Sequence, residues 1–171
     1  RFFNHAATSP LSVRAATAME QHIRAQLAHG SLAADAWTPE REETRALLAR
    51  FLKADPSEIA FIRNTAEGIS FVANGLRWKP GDHVVATNAE YPANMYPWLN
   101  LAEQGVSVKM VEEKDGRIFL EDIEKAIDGR TRVLAISFVE FSSGFMNDLI
   151  ALGRLCREQG VLYVVDAIQG L

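Results

Sequence analysis

The chain has 171 residues, 48% of them hydrophobic and 23% charged, which is the composition of a globular protein with mass enough for one substantial core. A formal net charge of -4, with basic residues neither in excess nor clustered along a face, argues against a nucleic-acid partner. A single cysteine, Cys156, rules out an intrachain disulfide or cysteine-based metal cage, and the apolar run around 161–165 falls far short of the roughly 18 residues of a membrane span, so a soluble cytoplasmic protein is expected.

Both ends are apolar, Phe2-Phe3 at the start and 168–171 at the finish, and this reads as a fragment or a trimmed chain. Residues 12–28 place Val13, Ala16, Ile23 and Leu27 on one helical side. A second helix is predicted over 39–52, with Thr38 as N-cap, Pro39 at the first helical position and Glu40, Glu42 and Glu43 at the positive end of the dipole. No strand is obvious before residue 58, and 1–50 is read as an N-terminal arm or part of a smaller domain.

From there short apolar runs alternate with helical patterns, the signature of an α/β fold with a mainly parallel sheet and flanking helices, over 51–171. Strands are predicted at 58–62, 83–87, 106–111, 132–138 and 161–165, each rich in β-branched residues. The last is apolar on both faces, as a central strand would be. Helices are predicted at 65–77, 94–104, 120–127 and 147–159, the last with Asn147 as N-cap and Gly160 in a left-handed position after its end.

Three stretches carry chemistry. Asp166 ends the run Val161 to Val165, and a carboxylate at the tip of a buried strand is costly unless a cation or donor meets it. Capping of the following turn is an equally good reading, and Gln169 by itself reads as a surface residue. The sequence Arg63-Asn64-Thr65-Ala66-Glu67-Gly68 opens a helix whose free N–H groups and Thr65 hydroxyl would suit a phosphate, although simple capping by Asn64 or Thr65 needs no ligand. Tyr91, in Glu90-Tyr91-Pro92-Ala93-Asn94, follows a strand at the ligand edge, where an aromatic could stack on a planar cofactor. Asn4-His5-Ala6-Ala7 has no self-evident chemistry, and the four histidines show no metal-ligand spacing.

Taken in order with 137–144 and 165–170, these stretches resemble the class V aminotransferase family, which includes cysteine desulfurases, selenocysteine lyases and isopenicillin N epimerase-like enzymes. The resemblance spans nearly the whole chain and implies the large domain of a fold-type I enzyme that uses pyridoxal 5'-phosphate (PLP). It implies that Thr65 and Ala66 hold the phosphate, Tyr91 stacks on the ring, Asp166 meets the pyridinium nitrogen and Gln169 the phenolic oxygen. It also implies that Asn4, His5 and Ala6 lie near an amino acid substrate, and that the intact protein is a homodimer.

Departures from the pattern matter as well. Tyr91 and Phe141 stand where desulfurases usually carry a histidine and an asparagine, which tips the expectation toward transamination, with desulfuration, lyase or epimerase chemistry as alternatives. A non-catalytic α/β interaction module is a further alternative. The lysine that holds PLP covalently is implied to lie beyond Leu171, so the 171 residues alone are expected to be inactive and to hold PLP weakly.

Overall fold

In the computed structural model, which describes residues 8–171, the chain divides into two units, Arg1–Phe61 and Ile62–Leu171. Asn4, His5 and Ala6 lie outside the described residues. The described residues of the first unit form helices and turns. Helix α1 (Val13–His29) starts where Ser12 Oγ accepts the Ala15 amide at 3.1 Å, and it ends at Gly30, whose φ of 53° suits glycine. A 3-10 turn (Gly30–Ala33) leads into α2 (Ala34–Leu52).

Helix α2 begins earlier than expected. Thr38 is not its cap, and Pro39 lies inside the helix, where the missing N–H forfeits one backbone bond to the preceding turn. The good helix formers Ala33, Ala34 and Ala36 carry the helix back past the proline.

The expected strand at 58–62 is also absent. Asp55 accepts the Ser57 amide at 2.9 Å while Glu58 accepts the Asp55 amide at 2.7 Å, a reciprocal cap that turns Pro56–Glu58 into a 3-10 helix. The Ile59 carbonyl then accepts the Arg45 guanidinium instead of a ladder partner.

The second unit is a three-layer α/β/α arrangement. Its elements are α3 (Thr65–Gly75), β1 (His83–Thr87), α4 (Tyr96–Leu99), β2 (Ser107–Val111), α5 (Leu120–Ala126), β3 (Thr131–Ser137), α6 (Leu149–Gln159) and β4 (Leu162–Asp166). All strand pairs are parallel, in the order β2-β1-β3-β4. Successive side chains of a strand point to opposite faces. Val85, Leu134 and Ile136 therefore meet α5 and α6 through Ile123, Leu152 and Leu155, while Val84, Val133 and Ala135 meet Ile69, Ala73, Trp98 and Leu101 on the other side. Each such fully buried Val, Leu or Ile contributes about 1.5–3 kcal/mol relative to exposure.

Three further expectations change. The helix over 94–104 is broken into 3-10 turns (Pro92–Asn94 and Asn100–Gln104) around the single turn of α4, which carries Pro97 in its first turn. Helix α6 is capped by Asp148, whose Oδ1 accepts the Ile150 and Ala151 amides at 3.0 Å; Asn147 turns inward instead. Gly160 does adopt the left-handed conformation, with φ 67°. Finally, β4 pairs only with β3 among the described residues, and Leu162 is 43% exposed, so β4 is an edge strand there and not a central one.

Candidate active site

Parallel strands end together, so the carboxyl ends of β1, β3 and β4 bring Thr87, Ser137 and Asp166 to one edge of the sheet. Strand order reverses between β1 and β3, since β2 lies to one side of β1 and β3 to the other. In open α/β sheets such a switch point, at the carboxyl ends, is where a crevice for ligands forms.

Asp166 pairs in register with Ser137 and is 6% exposed. Its Oδ1 accepts the Ile168 amide at 3.1 Å, and its carbonyl accepts the Phe138 amide at 2.7 Å. No hydrogen bond to its Oδ2 is found among the described residues. Gln169 follows in the half-buried turn that closes when the Gly170 amide donates to the Ala167 carbonyl at 2.9 Å.

Glycine at 170 is required by close approach. A Cβ there would stand 2.0 Å from Cδ1 of Phe138, whose ring it would have to displace. Gly170→Ala is therefore expected to destabilise the protein by about 1–3 kcal/mol through overpacking, read as a lowered thermal unfolding midpoint. Because the Phe138 amide also holds the Asp166 carbonyl, the same change should shift the end of β4.

Thr65 is the first residue of α3. Asn64 caps the helix, its Oδ1 accepting the Glu67 amide at 2.9 Å. Glu67 in turn binds the Arg63 amide at 2.7 Å and the Arg63 guanidinium, which hold its carboxyl below the usual range. The amides of Thr65 and Ala66 make no hydrogen bond among the described residues, so capping by Asn64 still leaves a pair of N–H groups at the positive end of the helix. Ala66 lines an open groove of about 480 Å³ with Ser70, Pro92 and Ala93, which brings the start of α3 beside the loop that carries Tyr91.

Tyr91 is half exposed and meets the Phe141 ring edge-on, with centroids 5.1 Å apart and an interplanar angle of 83°. No hydrogen bond links Thr65, Tyr91 and Asp166 directly. Glu90, the chain neighbour of Tyr91, and Ser137, the register partner of Asp166, belong to a set of buried polar residues that the sequence reading missed, and Thr65 stands apart from it.

Glu90, adjacent to Tyr91, is 7% exposed. Its carboxylate accepts the Ser137 amide at 2.8 Å, the Ser137 hydroxyl at 2.7 Å, the Asn94 amide group at 2.8 Å and, more weakly, the Thr87 hydroxyl at 3.4 Å. Burial raises its pKa and these donors oppose the rise. Ser137, tied to Glu90 on one side, is the register partner of Asp166 on the other. The signal available in the sequence was a glutamate three residues past the end of a buried strand and four residues before an asparagine, with a serine ending the neighbouring strand.

Comparison with known proteins bears on the family and the fold. A family model described as Aminotransferase class-V matches residues 1–171. A probable cysteine desulfurase of Methanothermobacter thermautotrophicus is 34% identical across 99% of this chain and 44% of its own length. Another, from Pyrococcus abyssi, is 37% identical across 78% of this chain and 34% of its own. Among solved structures, the apo structure of a cysteine desulfurase from Thermococcus onnurineus NA1 superposes with a TM-score of 0.83 at 29% identity, over 96% of this chain and 43% of that one. The chain spans less than half the length of these relatives. With its match to the family model and the mainly parallel α/β sheet, the chain belongs to the class-V aminotransferase family.

Proposed function

We propose that this chain forms the PLP-binding portion of an enzyme acting at the α-carbon of an amino acid, and that the reaction of the full-length protein is cysteine desulfuration. The observation that carries the cofactor reading is Asp166: a buried carboxylate at the carboxyl end of β4, one oxygen held by the Ile168 amide and the other without a hydrogen bond among the described residues. That donor set fits a protonated pyridine nitrogen, which bare turn capping does not require. When bound, PLP supplies an electron sink for charge developing at the substrate α-carbon.

The remaining roles fall to the chain's own residues. Asp166 keeps the ring nitrogen protonated, and Gln169 is assigned the ring's phenolic oxygen. The free amides of Thr65 and Ala66, with the Thr65 hydroxyl, hold the phosphate at a helix start. Tyr91 covers one face of the ring. Asn4, His5 and Ala6 are assigned to the substrate side. Residues 1–50 serve as an arm or part of a smaller domain.

Desulfuration is favoured over transamination because relatives that cover nearly the whole chain are described as cysteine desulfurases. Transamination stays as the second reading on a specific observation: Tyr91 and Phe141 form an aromatic pair where the resemblance would put a histidine and an asparagine. The full-length protein is further proposed to be a homodimeric cytoplasmic enzyme; no helix among the described residues is long and apolar enough to cross a membrane.

The test is to purify the full-length gene product with PLP and supply cysteine. Sulfide released in step with alanine supports desulfuration. Amino transfer to a 2-oxo acid without sulfide supports the second reading. A protein that takes up no PLP, judged by visible absorbance after gel filtration, overturns both.

A further inference from the structure

Residues 138–147 leave the end of β3, turn back through the antiparallel bridge Val139↔Met146, and return to α6. The excursion is closed by the Glu140 amide donating to the Phe145 carbonyl at 2.9 Å and the Asn147 amide to the Phe138 carbonyl at 2.9 Å. Inside it lies Glu140, 1% exposed and among the largest fully buried side chains of the protein. Its Oε1 accepts from Asn147 Nδ2 at 2.8 Å, and the same Nδ2 donates to the Ser137 carbonyl at 2.9 Å. Oε2 is buried with no hydrogen-bond partner among the described residues.

Glu90 and Glu140 thus lie on the two sides of Ser137, one with donors for both oxygens and the other with a single donor. A negative charge is better held where donors meet both oxygens, so Glu140 is the more readily protonated of the two. The charged groups that face Glu140 are Glu90, after β1, and Glu113, after β2; both are acidic and neither offsets a charge on it. Burial, followed by Glu90, pushes the Glu140 carboxyl up to about 7.

The arrangement has a direct structural consequence. Each carboxyl is the chain neighbour of one member of the aromatic pair: Glu90 of Tyr91, Glu140 of Phe141. We propose that Glu140 is a positioning residue which, as a neutral carboxyl bridged through Asn147 and Ser137 to Glu90, holds the 138–147 excursion so that Phe141 stands edge-on against Tyr91. Ionising Glu140 places a second buried negative charge beside Glu90, which is relieved by moving the excursion outward and parting the two rings. The aromatic wall of the site is then set by pH in the neutral range. Its meaning for the cofactor rests on the PLP reading; the ring geometry itself does not.

The test uses the full-length protein carrying a single 4-trifluoromethylphenylalanine in place of Phe141, followed by fluorine NMR between pH 5.5 and 8.5. The expected result is one titration with its midpoint near 7, the acid-side chemical shift moving when Tyr91→Ala removes the neighbouring ring. Glu140→Gln, a neutral isostere, should abolish the titration and hold the signal at the acid-form position throughout. A wild-type signal that does not move across this range, or a titration that survives Glu140→Gln, overturns the proposal. Should Glu140→Gln fail to fold, the wild-type titration decides alone. PLP uptake by the same samples is read separately: a protein that shows the titration but takes up no PLP sinks the cofactor reading and leaves the positioning role standing.

Discussion

Asp166→Asn is expected to leave the full-length protein folded and to weaken its hold on PLP by about 100- to 4000-fold. Removing one partner of a buried ion pair costs about 3–5 kcal/mol, and every 1.4 kcal/mol is about a factor of ten in affinity. Asparagine keeps an oxygen where Asp166 Oδ1 accepts the Ile168 amide, so the turn after β4 retains its cap. It loses the charge that would face the ring nitrogen. Asp166→Ala removes the cap as well and should add roughly 1 kcal/mol of destabilisation. Retention is read by equilibrium dialysis against PLP, fold by thermal unfolding. A protein with asparagine at 166 that holds PLP as tightly as the wild type would return Asp166 to the other reading its sequence allows, a residue that only caps a turn.

The cap and the ligand role of Asp166 could be weighed from sequence because a carboxylate ending an apolar strand is conspicuous. Strands β1 and β3 were legible for the same reason, as short runs buried on both faces between clear turns. The run 58–62 has similar composition but no ladder. There a local cap built by Asp55 and Glu58 outcompetes strand pairing, and the deciding hydrogen bonds involve side chains that composition does not weigh. Asn147 misled for the opposite reason. A good N-cap type stands next to a better-placed one, and only the fold reveals that Asn147 is needed inside, against Ser137 and Glu140. Glu90 and Glu140 were invisible as site elements because a glutamate in a loop is nearly always solvated. Their burial depends on parallel strands ending side by side, which is a property of topology.

That dependence gives the prediction with the largest expected effect on the fold. Trp98 is fully buried on the face of the sheet where Ile69, Ala73, Leu101, Val106, Val133 and Ala135 meet. Replacing a buried tryptophan by alanine costs about 3–5 kcal/mol, from lost transfer energy and the cavity left behind. Trp98→Ala should therefore lower the free energy of urea unfolding by that amount, a large part of the roughly 5–15 kcal/mol available to a typical domain. The effect should also reach the polar network. Trp98 Nε1 points at Asn94 Oδ1 at 3.4 Å, and the Asn94 amide group donates to Glu90 at 2.8 Å. Asn94 would lose the ring that holds it, and Glu90 one of the donors that favour its charge. Trp98→Phe fills most of the cavity without the indole N–H, so it separates the two contributions. It is expected to recover most of the stability while leaving Asn94 less constrained. Equal destabilisation by alanine and phenylalanine would assign the effect to the hydrogen bond, and a loss below about 1 kcal/mol for Trp98→Ala would contradict the packing of this face.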